Sequence, residues 1–214
     1  MKKRNYLFLI AAVLVALVTT VLNTAALAQQ VTGAIFTTNA DSTFVNGNVY
    51  DYPEEVYLNG GPRPNAPCSA AGLPEGDYYF QVTDPSGSML LSTDDISHRA
   101  VHVMNGLMDV HYGDYHVTGD GKCITFYANN ITVQLFPFGR TPNPGGEYKV
   151  WMTKISDHDP TSTKGSYGFI PNKSKTDNFK VVDFDGDGIP DSEDACPENP
   201  DATCGGGEPP PDPS

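Results

Sequence analysis

From residue 29 to residue 182 the chain contains no amphipathic helical run, and that absence limits the folds open to it more than any other feature. In its place stand short β-branched and aromatic runs separated by clusters of Gly, Pro, Asn and Asp, which read as strands and turns. The stretch DYYFQVT (77–83) shows the period: Tyr78, Phe80 and Val82 alternate with Asp77, Tyr79, Gln81 and Thr83, the period-two sign of a half-buried strand. Strands are expected near 31–38, 44–50, 54–59, 77–83, 88–93, 97–104, 124–128, 131–137, 147–153 and 178–182. About 150 residues suffice for one domain with a real core. Many short strands at this spacing predict an all-β, Ig-like sandwich, because a single sheet cannot cover its own apolar face.

Two octapeptides echo one another. GDYYFQVT (76–83) and GEYKVWMT (146–153) match in polarity and at several identities, each after a proline-rich turn. Equivalent strands in the two sheets would explain the likeness, and so would coincidence in a β-rich chain.

The first 28 residues read as a signal peptide. Lys2, Lys3 and Arg4 form a basic start, residues 6–22 are nearly all apolar, and Ala26-Leu27-Ala28 supplies a small-x-small cleavage pattern. The expected mature chain runs from about Gln29 to Ser214, with no membrane span, and is exported to the cell surface, the extracellular space or the periplasm. Removing the leader takes away three basic residues and moves the net charge from −13 to −16. Such a chain lacks the basic face that a nucleic-acid partner requires and favours cations instead. Four cysteines in an exported chain suggest two disulfides. Three pairings exist; pairing within each region, Cys68 with Cys123 and Cys196 with Cys204, is the expected one.

The stretch GLPEGDYYFQVTDPSGSMLLSTDD (72–95) resembles the prealbumin-like sandwich modules of bacterial surface proteins, of the collagen-adhesin B type. VYLNGGP (56–62) and GFIPNKSKTDNFKV (168–181) are similar to segments of uncharacterised exported bacterial proteins. These resemblances imply a fold and a compartment but no defined activity.

Charge breaks sharply near Val182: residues 183–214 hold ten acids and no base. Within DFDGDGIPDSED (183–194), carboxylates fall at loop positions 1, 3, 5, 9 and 12, namely Asp183, Asp185, Asp187, Asp191 and Asp194. Gly188 occupies position 6, and Ile189 at position 7 offers its backbone carbonyl. This is the spacing by which an EF-hand-type loop wraps hard oxygens around Ca²⁺. Mg²⁺ fits less well because it wants a tight octahedron, and the Cys and His that zinc prefers are absent from these positions. No amphipathic helix flanks the loop. From Asp183 through Pro197 the chain is similar to a thrombospondin type-3 repeat, which implies Ca²⁺ held by the five aspartates and the Ile189 carbonyl. Such repeats usually come in tandem and here there is one, so affinity in the extracellular range of about 0.1–1 mM is expected. The sequence thus divides into a leader (1–28), a sandwich (29–182), a calcium loop (183–204) and a Gly/Pro tail (205–214).

Other sites are weaker. His98 and His102 share a strand face, and His111 and His116 follow in HYGDYH. Two of them with Asp109 or Asp114 would make a zinc or copper site. The pairs fall in different expected elements, however, and exposed strand and loop histidines are the expectation. No G-x-S-x-G elbow, H-E-x-x-H or P-loop is present, so no catalysis is expected. Tyr50, Tyr52, Tyr57, Tyr112, Tyr115 and Tyr127 would form a glycan platform if they shared an exposed face. The expected function is a non-catalytic structural or adhesion module with a calcium-stabilised spacer, its partner a surface or matrix protein or glycan; the alternative is a carbohydrate-binding module.

Overall fold

The computed structural model describes residues 31–202 and Cys204; the expected leader and the 205–214 tail lie outside the described residues. Ten strands form two sheets: β1 (Ala34–Thr38), β2 (Val49–Tyr50), β3 (Tyr57–Gly61), β4 (Gly76–Thr83), β5 (Ala100–Met104), β6 (Leu107–His111), β7 (Thr118–Asp120), β8 (Ile131–Gln134), β9 (Glu147–Lys154) and β10 (Ser174–Val181). One sheet has the order β1-β3-β8-β7, the other β2-β10-β9-β4-β5-β6. Every pairing is antiparallel except β2 with β10. The architecture is an all-β sandwich, as the strand-and-turn pattern requires.

The core is continuous across both sheets. Leu58 and Val133 from the four-stranded sheet pack in one cluster with Tyr78, Phe80, Val82, Val101, Val103, Tyr148, Val150 and Phe179 from the other. At one end Tyr148 stacks on Phe179 with centroids 5.1 Å apart, and Phe138 meets both edge-on. Arg99, fully buried just before β5, crosses to the segment that follows β8. It donates to Asp94 (2.6 Å), to the Leu135 carbonyl (3.1 Å) and to the Pro137 carbonyl. A buried guanidinium is tolerated here because a carboxylate and two carbonyls meet its donors.

Several expectations need correction. The echoing octapeptides are β4 and β9, which lie side by side in one sheet with Phe80 opposite Met152 and Val82 opposite Val150; they are not equivalent strands of two sheets. Their likeness reflects a shared environment at the sheet centre. The far ends of both are buried on both faces, since Phe169 and Ser166 of the 155–173 crossover cover the outer side and Gln81 donates to the Ser166 carbonyl at 2.9 Å.

Residues 124–128 form no strand. The Cys123 carbonyl accepts the amides of Phe126 and Tyr127, so this apolar run is a turn that leaves Phe126 76% exposed. Residues 88–93 make only isolated bridges, at Leu90 and Ser92, because the Asp84 carboxylate gathers the amides of Ser86 and Met89 into a compact turn. The strands β6 and β7 had no sequence expectation. Residues 44–48 are likewise irregular, with Asn46 and Asn48 at positive φ.

Both disulfides follow the regional pairing: Cys68–Cys123 with Cα atoms 5.7 Å apart and Cys196–Cys204 at 5.9 Å. Two such bonds belong to an oxidising compartment. Among the described residues no helix is long and apolar enough to cross a membrane.

Candidate metal centre

The acidic loop starts where β10 ends, and its entry is fixed by the parallel partner β2. Val182 donates to the Tyr50 carbonyl and Asp183 to that of Asp51, both at 3.0 Å, which continues the β2–β10 ladder by one step past the last paired residues. Asp183, 5% exposed, then turns its side chain inward. Its two oxygens accept the amides of Gly186 (2.8 Å) and Gly188 (2.9 Å). The chain can make this curl because Gly186 and Gly188 sit at φ of 77° and 91°, a region that L side chains avoid. Nothing crowds Gly188 sterically, so conformation alone selects glycine there.

Asp185 and Asp187 each brace the turn with one oxygen, Asp185 accepting from the Asp187 amide (3.3 Å) and Asp187 from that of Ile189 (2.7 Å). Asp194 accepts the Cys196 amide at 2.8 Å, so the last acidic side chain leads directly into the disulfide. In all three the second oxygen, Oδ2, is buried without a hydrogen-bond partner. One oxygen each from Asp183, Asp185 and Asp187 lies within 4.8 Å of the others. Burial, then the charges of Asp187 and Asp194, push the Asp185 carboxyl above its ordinary value. Inward-facing anionic oxygens that lack donors are costly in a protein interior. A divalent cation accepting several hard oxygens removes that cost, and the donor set fits Ca²⁺.

Asp191 is placed differently from the expectation. Its Oδ1 accepts the Phe184 amide (2.8 Å) and its Oδ2 meets the Arg140 Nε (2.7 Å). With its amide bound to the Val182 carbonyl at 2.8 Å, Asp191 closes the loop on itself and ties it to the sandwich. Phe184 adds an apolar anchor, its ring 6.2 Å from that of Phe138 at the core's edge. Neither Arg140 nor Phe184 carries a motif, so sequence spacing had no means of finding this docking. Ile189 follows the turn at position 7, half-buried.

The remaining candidates separate cleanly. Of the six tyrosines, Tyr50 and Tyr57 are core residues, and Tyr115 is stacked on His98 at 3.5 Å; the six do not form one open platform. His116 is buried and His111 half-buried, contrary to the expectation of exposed histidines. His102 is paired with Asp109 at 2.8 Å. No family model, curated protein or solved structure matches the chain.

Proposed function

We propose that this chain is an exported, non-catalytic β-sandwich module of a cell surface or matrix, and that its C-terminal loop takes up one Ca²⁺. The observation that carries the reading is the set of buried, partnerless Oδ2 atoms on Asp185, Asp187 and Asp194 around the turn that Asp183 organises. Asp183, Asp185, Asp187 and Asp194 would hold the ion, with the Ile189 carbonyl completing the shell. Asp191 stands at position 9, which in such loops often reaches the ion through water; here it supplies the strut to Arg140.

Calcium would neutralise the crowded carboxylates, and the rest is done by the chain itself. The β2 carbonyls set where the loop begins, Arg140 and Phe138 hold it against the sandwich, and Asp194 presents Cys196 to its disulfide. The result is a stiff exit for whatever follows residue 204. Export is supported by the basic-apolar leader in the sequence and by the two disulfides.

Calcium calorimetry on the protein and on an Asp185→Ala/Asp187→Ala variant tests the reading. One equivalent should bind in the range of about 0.1–1 mM and binding should vanish in the variant. Equal heats from the two proteins, or none from either, would reduce residues 183–194 to an acidic linker.

A further inference from the structure

A second, unrelated cluster lies where the chain crosses between the sheets. β6 ends the six-stranded sheet at His111, and β7 enters the other sheet at Thr118. The turn between them reverses at Gly113, whose φ is 82° and whose place would bring any Cβ within 2.8 Å of the Tyr115 ring. That reversal sets His116 beside His111, ring centroids 5.4 Å apart and planes at 87°.

The hydrogen bonds of the two rings decide their tautomers. His116 Nε2 lies 3.1 Å from Asp94 Oδ2, and His111 Nε2 lies 3.0 Å from the His98 carbonyl. Asp94 is ion-paired with the buried Arg99 guanidinium at 2.6 Å, so it accepts as a carboxylate. A carbonyl can only accept. Nε2 is therefore the donor in both rings, and in the neutral form of each the lone pair is on Nδ1. Both Nδ1 atoms are buried and neither has a partner. Two adjacent histidines, each giving its far N–H to a carboxylate or a backbone carbonyl and each with a bare inner nitrogen, form the outer-shell arrangement that orients metal-ligating imidazoles.

We propose that His111 and His116 bind a borderline divalent transition-metal ion, Zn²⁺ in the first instance, through their Nδ1 atoms. The spacing suits it: with metal–nitrogen bonds of about 2.1 Å and a tetrahedral angle, two imidazoles on one ion put their centroids about 5 Å apart. The shell is completed by oxygens of the same turn or by water. Asp114 lines the cleft with both histidines. Nitrogen donors separate this site from the all-oxygen calcium loop and select a softer ion. Because His111 closes a strand of one sheet and His116 precedes a strand of the other, the bound ion is a clip between the sheets.

The test is titration of ZnCl₂ into the protein with the calcium loop already saturated by Ca²⁺. One equivalent is expected to bind, at least 100-fold more weakly in His111→Ala and with unchanged affinity in Asp185→Ala/Asp187→Ala. A long-range ¹H–¹⁵N imidazole spectrum of the unaltered protein avoids dependence on a variant's folding. Both rings should show the Nε2–H tautomer without metal, and both Nδ1 resonances should move with Zn²⁺. Absence of zinc binding under calcium, equal affinity in His111→Ala, or an Nδ1–H tautomer at either ring would overturn the site.

Discussion

The sandwich and the acidic loop are held by opposite means. The sandwich turns apolar side chains inward, and its fully buried guanidinium, Arg99, is matched by Asp94 and two carbonyls within the chain. The loop turns carboxylates inward and leaves three of their oxygens unmatched. The first arrangement rests on apolar area removed from water, which stabilises it in any buffer. On the proposed reading the second is completed by an ion from solution, so its order should follow that ion's concentration. On that reading one chain joins an apolar core to a conditional loop, through the ladder step beside β2, the Asp191–Arg140 pair and the Phe184–Phe138 contact.

The strongest attempt to break that contrast is to injure the core and watch the loop. Phe80, fully buried beneath Arg99 and His116, should cost about 3–5 kcal/mol when cut to Ala, read from urea unfolding. While the variant stays folded its calcium affinity should match the parent's; a parallel loss of affinity would mean that the two regions are one cooperative unit.

Disulfides give the next largest effect and rank the regions directly. In the chain-entropy view, Cys68–Cys123 with its separation of 55 residues should contribute about 4 kcal/mol and Cys196–Cys204 with a separation of 8 about 2.5 kcal/mol. Paired Cys→Ser variants compared by urea denaturation check this. Only the second pair should also weaken calcium binding, since Asp194 bonds the Cys196 amide.

Calcium itself comes third. At 10 mM Ca²⁺ and an affinity of about 0.1–1 mM, binding should add about 1.4–2.7 kcal/mol to stability, and Asp185→Ala/Asp187→Ala should abolish that increment while barely altering stability in chelator. If the variant is equally stabilised by Ca²⁺, the ion binds elsewhere and the contrast drawn at the loop fails.

How much of this could be read in advance follows the same division. Alternation in DYYFQVT placed β4 because its period is local, and the D-x-D-x-D-G spacing placed Asp183, Asp185 and Asp187 together because six residues suffice to make that turn. Residues 124–128 have strand composition, yet the Cys123 carbonyl and the disulfide behind it bend them into a turn. Asp191 occupied a ligand position in the pattern but sits opposite Arg140, 51 residues earlier in the chain. His111 and His116 looked like loop polar residues until Gly113 folded one against the other. Local periodicity is visible in a sequence; partners brought from another sheet are not.

The smallest predicted effect is also the sharpest comparison, because each region holds one carboxyl raised by burial. In the loop it is Asp185, and on the proposed reading the remedy is a cation. In the sandwich it is Asp177 on β10, whose Oδ2 accepts the Thr37 amide of β1 at 2.9 Å across the sheets. A carboxyl whose value is raised on folding stabilises the protein fully only below its ordinary range, and that contribution is lost as pH rises through the folded value. At neutral pH the Asp177 charge therefore opposes folding. Asp177→Asn keeps an oxygen for Thr37 and removes the buried charge. The urea midpoint should rise slightly at pH 7, and the parent's gain in stability on acidification toward pH 4 should shrink. The same change at Asp185 should do the reverse in calcium, lowering the midpoint by removing a ligand oxygen. Should Asp177→Asn instead lower the midpoint at pH 7, the sandwich too would depend on a buried anion, and the contrast with the loop would not hold.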